Sequence, residues 1–424
     1  MKYRSKIALA AALAAGISGL VTAAPACAGG KEKPAASAAF SLSAEVRASA
    51  LTAQNALAAN DVSGAAAAIS AIDAQASNDD ERFVAATLRV KMLVATPPTI
   101  QTMKALVVPL DRLIADPRTP KEDLARYYYL RGDVAYAANK FADAQQFYLQ
   151  AQGAGLHDNE LNFQIVRSAM ESDATHGAAS LDALIAAQAA AGKQAPDNWY
   201  RYAMLRLYKA NKPGEAVTWA TKWLAAYGSK ENWRDAIYAY GFEGVSAKDL
   251  KDRDRIDLYR LMAAAHCLAG QSDYRDYAAA AIKAGLPAET KLVIEEGRAS
   301  TAIPAVDTVA TQLAAKAKAG IAASKSFAVR EKSAATASKG DAALQAGDAY
   351  LAARSYARAI PMYDLALKKG GVDTDQVYLH RAIARSLASD KDQARADFAL
   401  ITGAPQTEIA KLWLAWLDSP AAPA

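Results

Sequence analysis

From about Ser43 onward, apolar positions recur three and four residues apart, in one stretch after another along the chain. That spacing places apolar side chains on one face of a helix. Each stretch runs about 10–18 residues, an ordinary helix length. Short Gly, Pro, Asn and Asp signals separate them: "AANDVSG", "ATPPT", "ADPRTP", "GAGLHDN", "GKQAPDN", "NKPGE", "YGSKEN", "AGLPAE", "KGGVDTD" and "GAPQ". No clear run alternates β-branched and aromatic residues, so the pattern predicts helices and not strands. Such even spacing predicts an all-α fold of stacked antiparallel helical hairpins, an α-solenoid.

Two stretches share one register. After Gly132 come Phe141, Ala144, Tyr148 and Ala151; after Gly347 come Tyr356, Ala359, Tyr363 and Ala366. An aspartate follows each glycine, Asp133 and Asp348. A glycine inside a helix costs about 1 kcal/mol relative to alanine. Its presence predicts a close approach of the paired helices, with Gly132 set against Ala144 and the aromatics filling the hairpin's ends. This register resembles the tetratricopeptide repeat, whose 34-residue unit has small residues at positions 8, 20 and 27 and aromatics near 17 and 24. Gly132 and Gly347 fall on position 8, Tyr128 on the family's first aromatic position and Tyr350 on its tyrosine at position 11. Arg131 and Ala343 depart from the pattern, and Pro361 predicts a kink in its helix. Looser units follow through Ala382, Ala394 and Phe398, and through Met204 and Ala216, where methionine replaces the glycine. The resemblance implies a superhelix of hairpins.

Composition changes the picture only at the N-terminus. Lys2, Arg4 and Lys6 precede an apolar run over 7–21, and Ala26-Cys27-Ala28 offers a cleavage site. That layout is a secretory signal peptide over 1–28, which implies a periplasmic protein. Cys27 leaves a lipid anchor as the lesser alternative. Cleavage removes three basic residues and no acid, taking the net charge from +5 to +2. A nearly neutral chain does not suggest a nucleic-acid partner. Only Cys267 then remains, so no disulfide within the chain is expected, and no later stretch is apolar enough to span a membrane.

The expected organisation is a flexible leader over 29–42, an N-terminal repeat array over 43–300, a helical connector over 301–340 and a C-terminal array over 341–424. Residues 245–257 are densely charged and predict a connecting loop or a helix start. Ile409, Leu412, Trp413 and Trp416 form one stripe on the last helix, which predicts a cap on the array. Leu414 leaves a dimer contact open.

No catalytic constellation stands out. His157, His176, His266 and His380 lack metal-ligand spacing, and neither a metal nor a cofactor is expected. His266 and Cys267 are neighbours on a helix and point apart, so a buried structural cysteine is the reading. Glu295 and Glu296 read as a solvated helix end. Lys316, Lys318, Lys325, Lys332 and Lys339, with Arg330, form a diluted basic stripe that reads as a solvated face.

The family resemblance implies a concave groove lined by positions 2, 5, 9 and 12 of each first helix. These are Arg126, Tyr129, Asp133 and Tyr136; Asn198, Arg201, Leu205 and Tyr208; and Asp341, Leu344, Asp348 and Leu351. Relatives that clamp chaperone C-termini carry lysine and asparagine at positions 5 and 9. Aspartate here disfavours a terminal carboxylate and suits a peptide with basic or apolar side chains. The function implied is a non-enzymatic scaffold or adaptor for a protein or peptide partner in the cell envelope. An accessory subunit of cell-wall or polysaccharide machinery, and an enzyme with an unrecognised site, are the alternatives.

Overall fold

Among the described residues, ten helices begin on a side chain that accepts a hydrogen bond from the backbone N–H three residues later: Ser43, Asp61, Asn78, Thr99, Asp158, Asp173, Ser229, Asp307, Ser326 and Asp373. Each satisfies a donor that the helix itself leaves open. The computed structural model describes residues 40–244 and 246–419. The expected signal peptide, Cys27 and residues 29–39 of the leader lie outside them.

Among the described residues the chain forms twenty-one α-helices and one short 3-10 turn, with no strand. The first eight are α1 (Ala44–Ala58), α2 (Val62–Gln75), α3 (Asp79–Ala95), α4 (Ile100–Ala115), α5 (Lys121–Ala137), α6 (Phe141–Gly153), α7 (Asn159–Ser172) and α8 (Ala174–Ala190). Then follow α9 (Asp197–Lys209), α10 (Pro213–Tyr227), α11 (Lys230–Gly241), α12 (Asp252–Ala264), α13 (Gly270–Lys283), α14 (Pro287–Ala299) and α15 (Thr308–Ala323). The last are α16 (Phe327–Thr336), α17 (Asp341–Ala352), α18 (Tyr356–Lys369), α19 (Thr374–Leu387), α20 (Lys391–Phe398) and α21 (Gln406–Leu417). All ten turn signals read from the sequence fall at helix junctions. The charged stretch before residue 257 is a helix start, and α18 runs on through Pro361. The region over 301–340 holds two helices, separated at Ser324–Ser326.

Five hairpins share one register, which their turns make plain. Asn60, Asn139, Asn211, Arg354 and Ser389 all have φ between 55° and 65°. Each stands seven residues after the position-8 residue: Ala53, Gly132, Met204, Gly347 and Ala382. The following N–H reaches back to a carbonyl five residues earlier, as in Lys140 to Ala135 and Ser355 to Tyr350. That left-handed helix ending is favourable for asparagine, whose side chain tolerates positive φ.

The glycines of the two clear repeats have a specific neighbour. A Cβ at Gly132 would stand 2.5 Å from the Tyr148 ring, and one at Gly347 would stand 2.6 Å from Tyr363. The expected contact was with the alanine at position 20. The atoms that require the glycine belong instead to the tyrosine one turn further on. Ala144, Tyr148, Ala151, Ala359, Tyr363 and Ala366 are fully buried, and Phe141 and Tyr356 are half-buried at the starts of their helices. Each tyrosine hydroxyl then donates to the aspartate beside the glycine: Tyr148 to Asp133 at 2.7 Å and Tyr363 to Asp348 at 3.0 Å.

At the same two register positions the other hairpins carry other combinations of small and large residues. Ala53 is matched with Ile69, Ala382 with Phe398, and Met204 with Ala220, all buried between paired helices. Small faces large and large faces small, as close packing requires.

The chain packs as two units that divide at Leu184 and Ile185, inside α8. In the first unit, successive cores join successive helices. One holds Val46, Ala53, Ile69, Ile72 and Leu88; the next Phe83, Val90, Leu110, Leu113, Tyr127 and Val134; the third Ala135, Ala144, Tyr148, Ala151 and Leu161. Neighbour-to-neighbour burial of this kind is the physics of a solenoid. The end of the expected leader is held rather than loose. Phe40 stacks on Phe83 at 5.3 Å, and the Ser41 and Ser43 N–H groups donate to Asp80 and Glu81. Those N–H donors from Ser43 and Ser77 hold the Glu81 carboxyl down at about 2.

In the second unit, α21 buries Ile409, Leu412, Trp413 and Trp416 completely or nearly so. It packs on α19 and α20, as a cap would, and also on α10 and α12. Lys411 reaches Thr218, 193 residues away in sequence, and the Trp413 indole N–H donates to the Asp257 carbonyl at 3.3 Å. The last helix therefore closes this unit on its own beginning instead of covering an open end.

Candidate functional site

In the first unit, Arg126, Tyr129, Asp133 and Tyr136 follow one another by three and four residues on α5, and all four are half-buried. The Tyr129 ring lies 5.6 Å from Tyr148. Arg167 of α7 stacks over Tyr136 at 4.1 Å, and the Tyr136 hydroxyl donates to Glu171 at 3.4 Å. A tyrosine–arginine surface thus runs from α5 onto α7. These side chains hold the hairpins together and still present an edge to solvent.

Burial pushes the Asp133 carboxyl up to about 7, against the opposing hydrogen bond from Tyr148. The folded state then binds a proton more tightly than the unfolded chain, whose aspartate titrates near 4. Stability from this group is present at pH 4 and lost as pH rises toward 7. The substitution Asp133→Asn keeps an acceptor for Tyr148. It is expected to be neutral at pH 4 and to raise the thermal midpoint at pH 8, as followed by circular dichroism from pH 4 to 8. An equal effect at both pH values would contradict this.

The second-unit residues fare differently. Arg201 pairs with Asp235 at 3.3 Å and lies over Trp223, and Leu205 is 41% exposed. Asn198 and Asp341 are exposed. Tyr208, Leu344, Asp348 and Leu351 are buried and do not form an open groove. The reason is internal: neighbouring helices of this unit cover that face of α17 and α9.

What covers α17 is a buried ionic cluster. His380 of α19 lies between two carboxylates, Nδ1 at 2.7 Å from Asp348 and Nε2 at 3.3 Å from Asp257. Asp348 also accepts from Tyr363 and pairs with Arg253 at 3.3 Å. Arg260 is 6% exposed, donates twice to Glu289 at 2.8 and 2.6 Å and once to Asp257 at 2.8 Å. The Tyr277 hydroxyl donates to Glu289 at 2.6 Å. Burial alone would lower the His380 pKa, but Asp348 and Asp257 raise it to about 10. Burial works against ionised Asp348 too; the charge of His380 outweighs it and holds that carboxyl below its usual range.

Sequence reading missed this cluster. Asp257 and Arg260 sit three apart in the charged "DRDRIDLYR", and His380 stood as an isolated histidine. The one legible signal was Asp348, which repeats Asp133 in register.

The remaining candidates occupy ordinary places. Cys267 is 3% exposed behind the end of α12, where burial pushes its thiol up to about 12 and keeps it unreactive. Glu295 pairs with Lys291, and Glu296 with Arg354. The five lysines of the basic stripe are exposed. Among the described residues no group of His, Cys, Asp and Glu could hold a metal, and no helix is long and apolar enough to cross a membrane.

No family model and no curated protein matches the chain. Solved helical-repeat structures resemble it distantly. The pentatricopeptide repeat protein PPR10 from maize is 12% identical with a TM-score of 0.34, over 86% of this chain, which spans only 61% of that protein. The P58(IPK) TPR domain is 14% identical with a TM-score of 0.23, over 82% of this chain and 100% of that one. The apo quorum sensor NprR from B. thuringiensis is 15% identical with a TM-score of 0.23, over 84% and 97%. The assignment as an α-solenoid of tetratricopeptide-like hairpins rests on the register that five hairpins of this chain share.

Proposed function

We propose that the chain is an exported scaffold or adaptor that holds a cell-envelope protein or peptide on the face formed by α5 and α7. The observation that carries this reading is the half-exposed stripe of Arg126, Tyr129, Asp133 and Tyr136, continued by Arg167. Tyrosine and arginine give large, stiff contact area and are favoured as binding anchors. Asp133, which accepts from Tyr148, offers no donor to a terminal carboxylate, so the partner presents basic or apolar side chains to this face. Arg201 and Leu205 are proposed as a further contact on the second unit. Export rests on the signal peptide read over 1–28. The arrays over 43–300 and 341–424 with a connector over 301–340 are proposed as a division of the repeat register alone, since the packing units divide at Leu184 and Ile185.

Pull-down from envelope extract with the full mature chain tests the site. A partner retained by the wild type is expected to fall at least tenfold with Tyr129→Ala/Tyr136→Ala, at unchanged helix content. Equal capture by both would remove the assignment. Turnover of peptidoglycan or peptide by the purified chain alone would contradict the non-enzymatic reading.

A further inference from the structure

Beside the ionic cluster of the second unit lies a cavity of about 220 Å³. Arg253 and Arg260 of α12, Arg330 of α16, Gln345 and Asp348 of α17, and His380 of α19 supply its polar wall. The turn Ala284–Leu286, which leads into α14, closes another side. Three arginines and a histidine thus face one carboxylate.

The cations are not equally occupied. Arg260 is fully engaged by Glu289 and Asp257. Arg253 is half-exposed and has one long contact, 3.3 Å to Asp348, which already serves His380 and Tyr363. Arg330 donates only to the Lys325 carbonyl at 3.3 Å, and among the described residues no carboxylate lies within ion-pair distance of it. Its neighbours in the basic stripe are exposed lysines, whereas Arg330 is half-buried on the cavity wall. A guanidinium fork left open in a polar pocket matches the oxygens of a carboxylate or a phosphate. The volume lies below the about 300 Å³ at which drug-sized pockets begin, so the ligand is small.

We propose that this cavity binds a small oxyanion, gripped by Arg253 and Arg330 with the Gln345 amide beside them. The carboxylate behind them, Asp348, fixes Arg253 and leaves Arg330 as the principal recruiting charge. This site belongs to the second unit alone and does not depend on the partner face of α5.

Isothermal titration on the full mature chain with succinate and, separately, with inorganic phosphate tests the proposal at fixed ionic strength set by sodium chloride. Saturable binding of at least one is expected, at one site per chain. Affinity is expected to fall about tenfold or more in Arg330→Gln and again in Arg253→Gln, the loss appropriate to one charge-assisted contact each. Preference for succinate marks a carboxylate ligand, and preference for phosphate a phosphorylated one. Both substitutions remove partly exposed side chains, and tryptophan fluorescence confirms folding because all six tryptophans lie in this unit. Absence of saturable binding by both anions, or binding unchanged in the two folded variants, would overturn the site.

Discussion

Replacing Arg260 with methionine is expected to lower the stability of the second unit by about 3–5 kcal/mol. Methionine keeps the apolar stem and lacks the guanidinium head, so the lost volume adds to the effect without being its main part. What changes is the charge. Among the described residues Arg260 is the one cation paired with Glu289, meeting both its oxygens, and it also holds Asp257. Without it, two carboxylates remain buried, with only the Tyr277 hydroxyl donating to one and His380 to the other. Leaving a buried charge uncompensated is among the few single changes that cost this much. Urea unfolding followed by tryptophan fluorescence reads the effect, since Trp199, Trp219, Trp223, Trp233, Trp413 and Trp416 all belong to this unit. A loss under about 1 kcal/mol would show that water reaches the cluster and screens it.

The second large effect is expected where Gly132 meets Tyr148. Methionine at 132 would drive a side chain into a ring that already leaves no room for a Cβ. Overpacking of this sort costs about 1–3 kcal/mol, which offsets or exceeds the gain of up to about 1 kcal/mol that methionine has over glycine in a helix. Tyr148→Ala is expected to cost about 3–5 kcal/mol, because the ring is fully buried and its hydroxyl serves Asp133. Each change alone is harmful for an opposite reason, one overfilling the contact and the other emptying it.

The hairpins were legible in the sequence because their constraints are local. Helical spacing, turn residues and the glycine–aromatic register are all written within about thirty residues. The hairpin of α1 and α2 shows the limit. It keeps Ala53, Asn60, Ala65, Ile69 and Ile72 in register, but isoleucine stands where an aromatic was sought. Volume, not aromaticity, is what the contact demands. Gly132 shows a related limit: spacing identifies a face, and packing decides that Tyr148 makes the closest contact on it.

The rest depended on contacts distant in sequence. His380 meets Asp257 and Asp348 across three separate helices, and α21 reaches α10 only because the second unit closes. No local spacing encodes those meetings. Closure also explains why Tyr208 and Asp348, sound groove positions in an open array, lie buried here. The stripe on α5 is half-buried, with Tyr129 against Tyr148 and Tyr136 under Arg167.

The measurement that bears most directly on shared volume at the hairpin contact is a double-mutant cycle. Gly132→Met, Tyr148→Ala and the two together reproduce, at the α5–α6 contact, the Met204–Ala220 arrangement that α9 and α10 already use. Unfolding in urea followed by circular dichroism should show the double variant more stable than the two single losses summed, by about 2 kcal/mol. Strict additivity, with a coupling near zero, would mean that the two positions do not share one space, and the register would lose its physical basis.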